Sequence, residues 1–117
     1  MTAKIKIITT PITLNEVQKI AQATFGEMTK AVVDLKQKIL ALGGEMHADS
    51  EALLIKKGSK QENLWGFNIY PDKPRGRRLE FSSLINIRPL ANNRSITIQS
   101  SIIKKKIKKI VNDLIQK

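Results

Sequence analysis

Alternating and helical patterns of apolar residues divide the first part of the chain into a strand and a helix. Residues Lys4–Thr9 alternate polar with β-branched apolar positions, which predicts a first strand that ends before Pro11. Thr13 and Glu16 have the spacing of a capping box, in which each side chain bonds the backbone N–H of the other, and this predicts the start of a helix. Gly26 can adopt the left-handed conformation that ends such a helix.

Residues 28–42 fit two different structures. One apolar stripe at helical spacing predicts a helix, whereas the apolar runs Ala31–Leu35 and Ile39–Leu42 predict two strands around a polar turn at Lys36–Lys38. Periodicity alone does not decide between these two structures. The pair Gly43-Gly44 that follows permits a sharp bend of the backbone.

The middle of the chain predicts a short helix and then a strand. Asp49 is a typical N-cap residue, and the pattern after it predicts a helix through Lys57 that Gly58 ends. Residues Leu64–Tyr70 are rich in aromatic and β-branched types, so they predict a strand, which ends at Pro71.

The C-terminal part predicts two further strands and an amphipathic helix. Residues 72–78 have turn composition, and Leu79–Arg88 predicts a strand whose end alternates apolar with polar side chains. Arg94–Gln99 predicts a last short strand after a turn at Asn92-Asn93. Ser100 or Ser101 then caps a final helix, which has isoleucine, valine and leucine on one side and lysines on the other.

These elements together predict an α+β fold. We expect a mainly antiparallel sheet of five or six strands, covered by two to three helices that include the C-terminal amphipathic helix. The length of 117 residues and the 41% hydrophobic content predict one domain over residues 1–117 with one packed core.

Several classes of protein are excluded by composition. The chain has no cysteine, so disulfides and thiolate chemistry are absent. No apolar run is long enough to span a bilayer, and the apolar part of the N-terminus is too short for a signal peptide, so we expect a cytoplasmic protein. No phosphate-loop, dinucleotide-binding, zincin or EF-hand motif is present, and the sequence indicates no particular cofactor.

Positive charge is concentrated in the second half of the chain. The net charge is +11, of which residues 59–117 contribute +9 from thirteen Lys or Arg against four acids. Such an imbalance favours an anionic partner, although a bias towards lysine that serves only solubility predicts the same composition.

Four stretches of the sequence carry a family resemblance. They are Phe25–Met28 with Lys30–Asp34, Gly44–Ala52, Gly58–Pro71, and Ile85–Pro89 with Asn93–Ser95. They resemble a small family of uncharacterised bacterial proteins, a domain of unknown function, and the likeness spans nearly the whole chain. The family implies no reaction or ligand. Its members are richer in β-branched residues where this chain has residues 31–42, so the resemblance favours the hairpin over the helix.

The first candidate site surrounds the single histidine. Glu45, His47 and Asp49 would project from one face if the strand before them continued. One imidazole with two carboxylates suits a divalent ion, or a general base with an orienting acid. The alternative is a strand end that runs into a helix, with Asp49 as the cap and His47 in a structural hydrogen bond.

The second candidate site holds amides and arginines. Asn68 and Asn86 would share a polar face with Arg88 if their two strands were neighbours, and Arg94 would follow the next turn. Guanidinium forks and amides suit the binding of phosphate or carboxylate. The alternative is a buried network that ties strand ends together.

The third candidate site is basic and leads to the function that we expect. It comprises the arginines of residues 75–78 and lysines of the final helix, namely Arg75, Arg77, Arg78, Lys105, Lys108 and Lys109. These side chains could contact phosphates, whereas no aromatic residue is interleaved with them, so we do not expect sequence-specific recognition of single strands.

We therefore expect a non-enzymatic binding protein for an anionic partner, with nucleic acid favoured. The alternative is a small metal-assisted or phosphate-processing hydrolase, in which His47, Glu45 and Asp49 act on an anion that Arg88 and Arg94 hold. A third hypothesis is a homo-oligomer that forms through an exposed sheet edge.

Overall fold

The computed structural model describes residues 4–116 of the chain. Its helices and longer strands form an α+β fold, as predicted. In chain order the elements are β1 (Lys6–Ile8), β2 (Ile12–Thr13), α1 (Leu14–Gln22), β3 (Thr29–Asp34), β4 (Ile39–Leu42), α2 (His47–Lys56), β5 (Leu64–Ile69), β6 (Leu79–Glu80), α3 (Ser101–Leu114) and β7 (Ile115–Gln116). Five strands form one antiparallel sheet in the order β1-β4-β3-β5-β6, and β2 pairs with β7 in a short parallel ribbon.

The hairpin of β3 and β4 lies at the centre of this sheet and confirms the strand interpretation of residues 28–42. Asp34 holds the turn, because its carboxylate accepts hydrogen bonds from the backbone of Lys36 and Gln37 at 2.9 Å and from the Ser59 hydroxyl at 2.7 Å. Burial opposes ionisation of Asp34, but these donors outweigh it and lower the pKa of the carboxyl. The helical interpretation was wrong because a carboxylate that binds turn amides competes with helical bonding.

The predicted starts of α1 and α3 are confirmed, although the Glu16 carboxylate of the predicted capping box accepts from the Thr13 hydroxyl and not from the Thr13 N–H. The Thr13 hydroxyl accepts from the backbone N–H of Glu16 at 3.1 Å, and the Ser100 hydroxyl accepts from that of Ile103 at 3.2 Å. Both bonds satisfy donors that the first turn of a helix leaves without a partner. Beyond α1, Gly26 has a φ of +88°, and its N–H donates to the carbonyl of Ala21.

The two faces of the sheet bury different groups of side chains. One face packs against α1 and α3, in a hydrophobic cluster that includes Val33, Leu40, Phe67, Val17 and Ile107. The other face packs against α2, through a smaller cluster formed by Val32, Ala41, Leu54 and Leu64. The period of two along each strand therefore distributes its side chains between two layers.

The predicted strand Leu79–Arg88 is wrong beyond Glu80, and no strand forms in Arg94–Gln99. Residues 81–100 instead contain short 3₁₀ turns at Leu84–Asn86 and Pro89–Ala91, with isolated bridges from Ser82 to Thr97 and from Arg88 to Asn93. The alternation of residues 85–88 suggested a strand with Asn86 and Arg88 on its polar face. Asn86 is fully buried, because its amide bonds the backbone of Gly66.

Asn93 organises the rest of this segment. Its Nδ2 group lies 2.8, 2.9 and 3.1 Å from the carbonyls of Asn86, Ser95 and Thr97, which share its two hydrogens. Its Oδ1 accepts from the backbone N–H of Gln99 at 2.9 Å. Two buried asparagine amides thus supply hydrogen bonds that a strand ladder would otherwise provide.

The start of α2 also differs from the prediction. The helix begins at His47, with Met46 in the N-cap position, and Asp49 lies exposed in its first turn. Gly44 lies against this helix, since a β-carbon there would lie 2.8 Å from the Ser50 hydroxyl oxygen. The helix can pack this closely against the Gly43-Gly44 bend only because Gly44 has no side chain.

Candidate functional site

His47 lies in the interior and does not form a catalytic cluster with Glu45 and Asp49. Its side chain is 8% exposed, and Nε2 lies 2.8 Å from the backbone carbonyl oxygen of Phe67, so this nitrogen carries the proton in the neutral ring. Glu45 and Asp49 are both exposed. The expected common face was wrong because α2, rather than a strand, begins at His47.

The surroundings of His47 disfavour its charged form. Burial lowers the pKa of the imidazole, and the positive charge of Lys30 lowers it further. The hydrogen bonds of the ring with the Phe67 carbonyl and the Asn68 side chain oppose this shift. Within residues 4–116, no group of three or more His, Asp or Glu side chains is close enough to hold a metal ion. His47 therefore has the structural hydrogen bond of the alternative interpretation, whereas Asp49 is not the cap of α2.

The predicted group of Asn68, Asn86, Arg88 and Arg94 does not share one polar face. Asn68 donates to Glu80 Oε1 at 2.8 Å across the β5–β6 pair, whereas Asn86 bonds the backbone of Gly66. The expectation of two neighbouring strands was wrong because Asn86 lies in a 3₁₀ turn. Arg94 is exposed.

Arg88 connects the 81–100 segment to α2. Its Nη2 lies 3.0 Å from Glu51 Oε2, with both side chains 14% exposed, and its guanidinium lies 5.1 Å from the centre of the Trp65 ring. Burial lowers the pKa of Arg88, and Glu51 opposes that shift. These contacts give Arg88 a structural ion pair within the chain.

Part of the third candidate site does converge. Arg75 and Arg78, from the turn after β5, and Lys108, from α3, line one cavity of about 390 Å³. We call this cavity the basic groove. Its apolar lining is formed by Leu14, Ile69, Leu79, Phe81, Val111 and Ile115, and Gly76, Asn112 and Gln116 complete the lining.

Backbone hydrogen bonds fix the arginine side of the basic groove. The carbonyl of Arg78 accepts from the N–H of Tyr70 at 2.7 Å, and the N–H of Arg77 donates to the carbonyl of Pro74 at 2.8 Å. Arg78 Nε also donates to the carbonyl of Lys73 at 2.9 Å. The turn is thereby folded back against the end of β5, and this brings Arg75 and Arg78 towards α3.

The core-facing stripe of α3 fixes the lysine side. Ile107, Ile110 and Leu114 are buried against the sheet. Lys104 and Lys108, one turn apart, each have their ammonium nitrogen 6.0 Å from the centre of the Phe81 ring. The amphipathic pattern that anchors α3 therefore also places Lys108 in the groove lining and Lys104 beside the ring of Phe81.

Positive charge exceeds negative charge in and around the basic groove. Residues 81–112 contain seven Lys or Arg and no acid, and the acids that border them, Glu80 and Asp113, bond to Asn68 and Lys109. Among the described residues, no Asp or Glu lines the groove, and no ion pair involves Arg75, Arg78 or Lys108. The groove can therefore attract an anion without competition from a carboxylate of its own.

The remaining basic candidates lie outside the lining of the groove. Arg77, Lys105 and Lys109 are exposed, and Lys109 pairs with Asp113 at 3.0 Å. Phe81 was missed as a site residue because aromatic residues were sought only within the basic runs. Its spacing from Leu79 was an available signal, since positions two apart in an extended segment lie on one side.

The chain belongs to the family described as Protein of unknown function (DUF5674), whose model matches residues 6–114. This confirms the resemblance to an uncharacterised family. No curated protein and no solved structure matches the chain. None of the helices within residues 4–116 is long and apolar enough to cross a membrane.

Proposed function

We propose that this protein binds nucleic acid through the basic groove and performs no chemistry on it. The observation that carries the proposal is the convergence of Arg75 and Arg78 with Lys108 around one cavity, although about thirty residues separate them in the sequence. Cations that lie together in a groove without acids attract a phosphate more strongly than cations dispersed over the surface do.

The chemistry of the three side chains supports phosphate as the ligand group. Guanidinium groups donate two parallel hydrogen bonds to phosphate oxygens, and an ammonium group adds a mobile point charge. Contacts of this kind position a nucleic acid without reading its sequence. We therefore expect affinity that depends steeply on salt and weakly on sequence.

The two other hypotheses have less support. For a hydrolase, His47 would need an accessible nitrogen beside a carboxylate, but its hydrogen bond goes to the backbone of Phe67, and Glu45 and Asp49 form none with it. For self-association through a sheet edge, the net charge of +11 opposes contact between two copies.

The test compares two variants that lose the same charge. In the groove variant, Arg75, Arg78 and Lys108 are replaced by Gln. In the control, the exposed Lys36, Lys57 and Lys60 are replaced by Gln; these lie around the β3–β4 turn, near Leu64, at the opposite end of β5 from Ile69 of the groove. Affinity for a short labelled oligonucleotide is measured by fluorescence anisotropy over a series of salt concentrations.

We expect the groove variant to lose most of the binding and the control to keep it. For a single strand, the slope of log K against log salt should become shallower by about 2, because three phosphate contacts are lost. Equal loss in both variants would show that only net charge matters. No binding by the unmodified protein at low salt would contradict the function itself.

A further inference from the structure

We propose that the basic groove receives one unpaired base, so that the protein prefers single-stranded to duplex nucleic acid. This inference rests on the proposed function and adds the class of nucleic acid. Phosphate contacts need only a charged surface, whereas this site is a cavity with an apolar floor. Phosphate binding alone therefore does not account for the shape and lining of the groove.

The size and lining of the cavity suit a base. Its volume of about 390 Å³ is in the range of small-molecule sites, which are mostly apolar with a few polar groups at defined positions. Ile69, Leu79 and Val111 provide apolar surface, and the cations lie at the same cavity. A nucleotide likewise combines a flat base at one end with a charged phosphate at the other, so both parts would find a matching surface in the groove.

Phe81 gives the groove an aromatic surface. Its ring lies 6.5 Å from that of Phe67 on the core side, and the ammonium groups of Lys104 and Lys108 approach it at 6.0 Å. An entering base could replace the ammonium groups against the ring, and the lysines would then be available to the adjoining phosphates. Stacking of this kind tolerates any base, because every base has a π-face.

The amides at the groove complete the match. Asn112 and Gln116 line the cavity, and each carries both a donor and an acceptor that can bond the edge of a base. Bases in a duplex are stacked and paired, so one could enter only after it was flipped out. Single strands present their bases without that cost.

The experiment measures affinity for three ligands at one salt concentration. They are a single-stranded oligonucleotide, its duplex, and a single strand whose nucleotides lack bases. A cavity-filling variant, Val111→Trp, tests the groove itself, since it leaves Arg75, Arg78 and Lys108 in place. The exposed Ile102, also on α3 but outside the groove lining, provides the control Ile102→Trp.

We expect the single strand to bind about tenfold more tightly than either other ligand, because the stacking of one base increases affinity by about this factor. Val111→Trp should remove this preference without weakening the duplex, and Ile102→Trp should keep it. The ligand without bases tests the inference even if Val111→Trp does not fold. Equal, salt-sensitive affinity for all three ligands would overturn the single-strand preference and leave the proposed function standing, whereas no binding of any would overturn both.

Discussion

The side chain of Asn86 forms with Gly66 the two hydrogen bonds that a neighbouring strand would form. Its Oδ1 accepts from the Gly66 N–H at 2.8 Å, and its Nδ2 donates to the Gly66 carbonyl at 2.9 Å. Strand β6 pairs only with Asn68 and Ile69 of β5, so the amide takes over where β6 has left the sheet. The backbone of residues 81–100 can then run beside β5 without pairing as a strand, and Gly66 still has both hydrogen-bond partners.

Replacing Asn86 with Asp should destabilise the protein strongly. The carboxylate can accept from Gly66 but cannot donate to the carbonyls of Gly66 and Ile96. The Gly66 carbonyl then loses its partner, whereas the Ile96 carbonyl keeps the N–H of Ser83. We expect the free energy of unfolding, from urea denaturation, to fall by about 3 kcal/mol. Asn92→Asp is the control, since Asn92 is exposed; an equal effect of both changes would contradict the role of Asn86.

A methyl group at Gly66 should also be poorly tolerated. A β-carbon there would lie 2.6 Å from that of Ser83, and that contact is too close for the packed segment to absorb without moving. Gly66→Ala should cost about 2 kcal/mol of unfolding free energy. At Gly76 a β-carbon would meet nothing within 4 Å, so Gly76→Ala should leave the same measurement nearly unchanged.

The pair of Arg88 and Glu51 should matter more than an exposed pair. Glu51→Gln removes the charge that balances a guanidinium only 14% exposed, and we expect a loss of about 2 kcal/mol. The pair of Lys109 and Asp113 has side chains 74% and 60% exposed. Asp113→Asn should therefore cost less than about 0.5 kcal/mol in parallel urea titrations. Equal losses would mean that the buried position of Arg88 is not what makes its pair important.

His47 should make the folded state less stable in mild acid. Its pKa is lowered by burial in the folded protein and is near 6.5 in the unfolded chain. As pH falls below about 6.5, the unfolded chain takes up the proton first, so stability decreases, by at most about 1.4 kcal/mol per pH unit. Because His47 is the only histidine, the decrease between pH 7 and pH 5 should be largely absent in His47→Gln.

The sequence predicted those elements whose determinants are local. Thr13 and Ser100 cap their helices through residues three positions away, and the final helix carries its own amphipathic stripe. The hairpin of β3 and β4 needed the family resemblance, because the bond from Ser59 to Asp34 spans 25 residues. Residues 81–100 could not be predicted, since the partner of Asn86 is the backbone of a residue twenty positions earlier.

The candidate sites, like the elements of the fold, were predictable only in their local features. Basic side chains were visible from composition, so Arg75, Arg78 and Lys108 were identified as candidates. Which of the cations lie together depends on how α3 packs beside the end of β5, and no local pattern carries that information. Around His47, the alternating polar residues suggested a strand, but a helix begins there. This helix packs Ser50 tightly against Gly44, and the alternation does not indicate that contact.

Nuclear magnetic resonance titration with a short single-stranded oligonucleotide tests the central claim most directly, because it reports where on the protein the ligand binds. The account predicts that the largest changes in backbone amide shifts fall in residues 75–81 and 104–116, on the two sides of the basic groove, and that they diminish as salt is added. Changes centred on His47 and α2, with residues 75–81 unaffected, would contradict it.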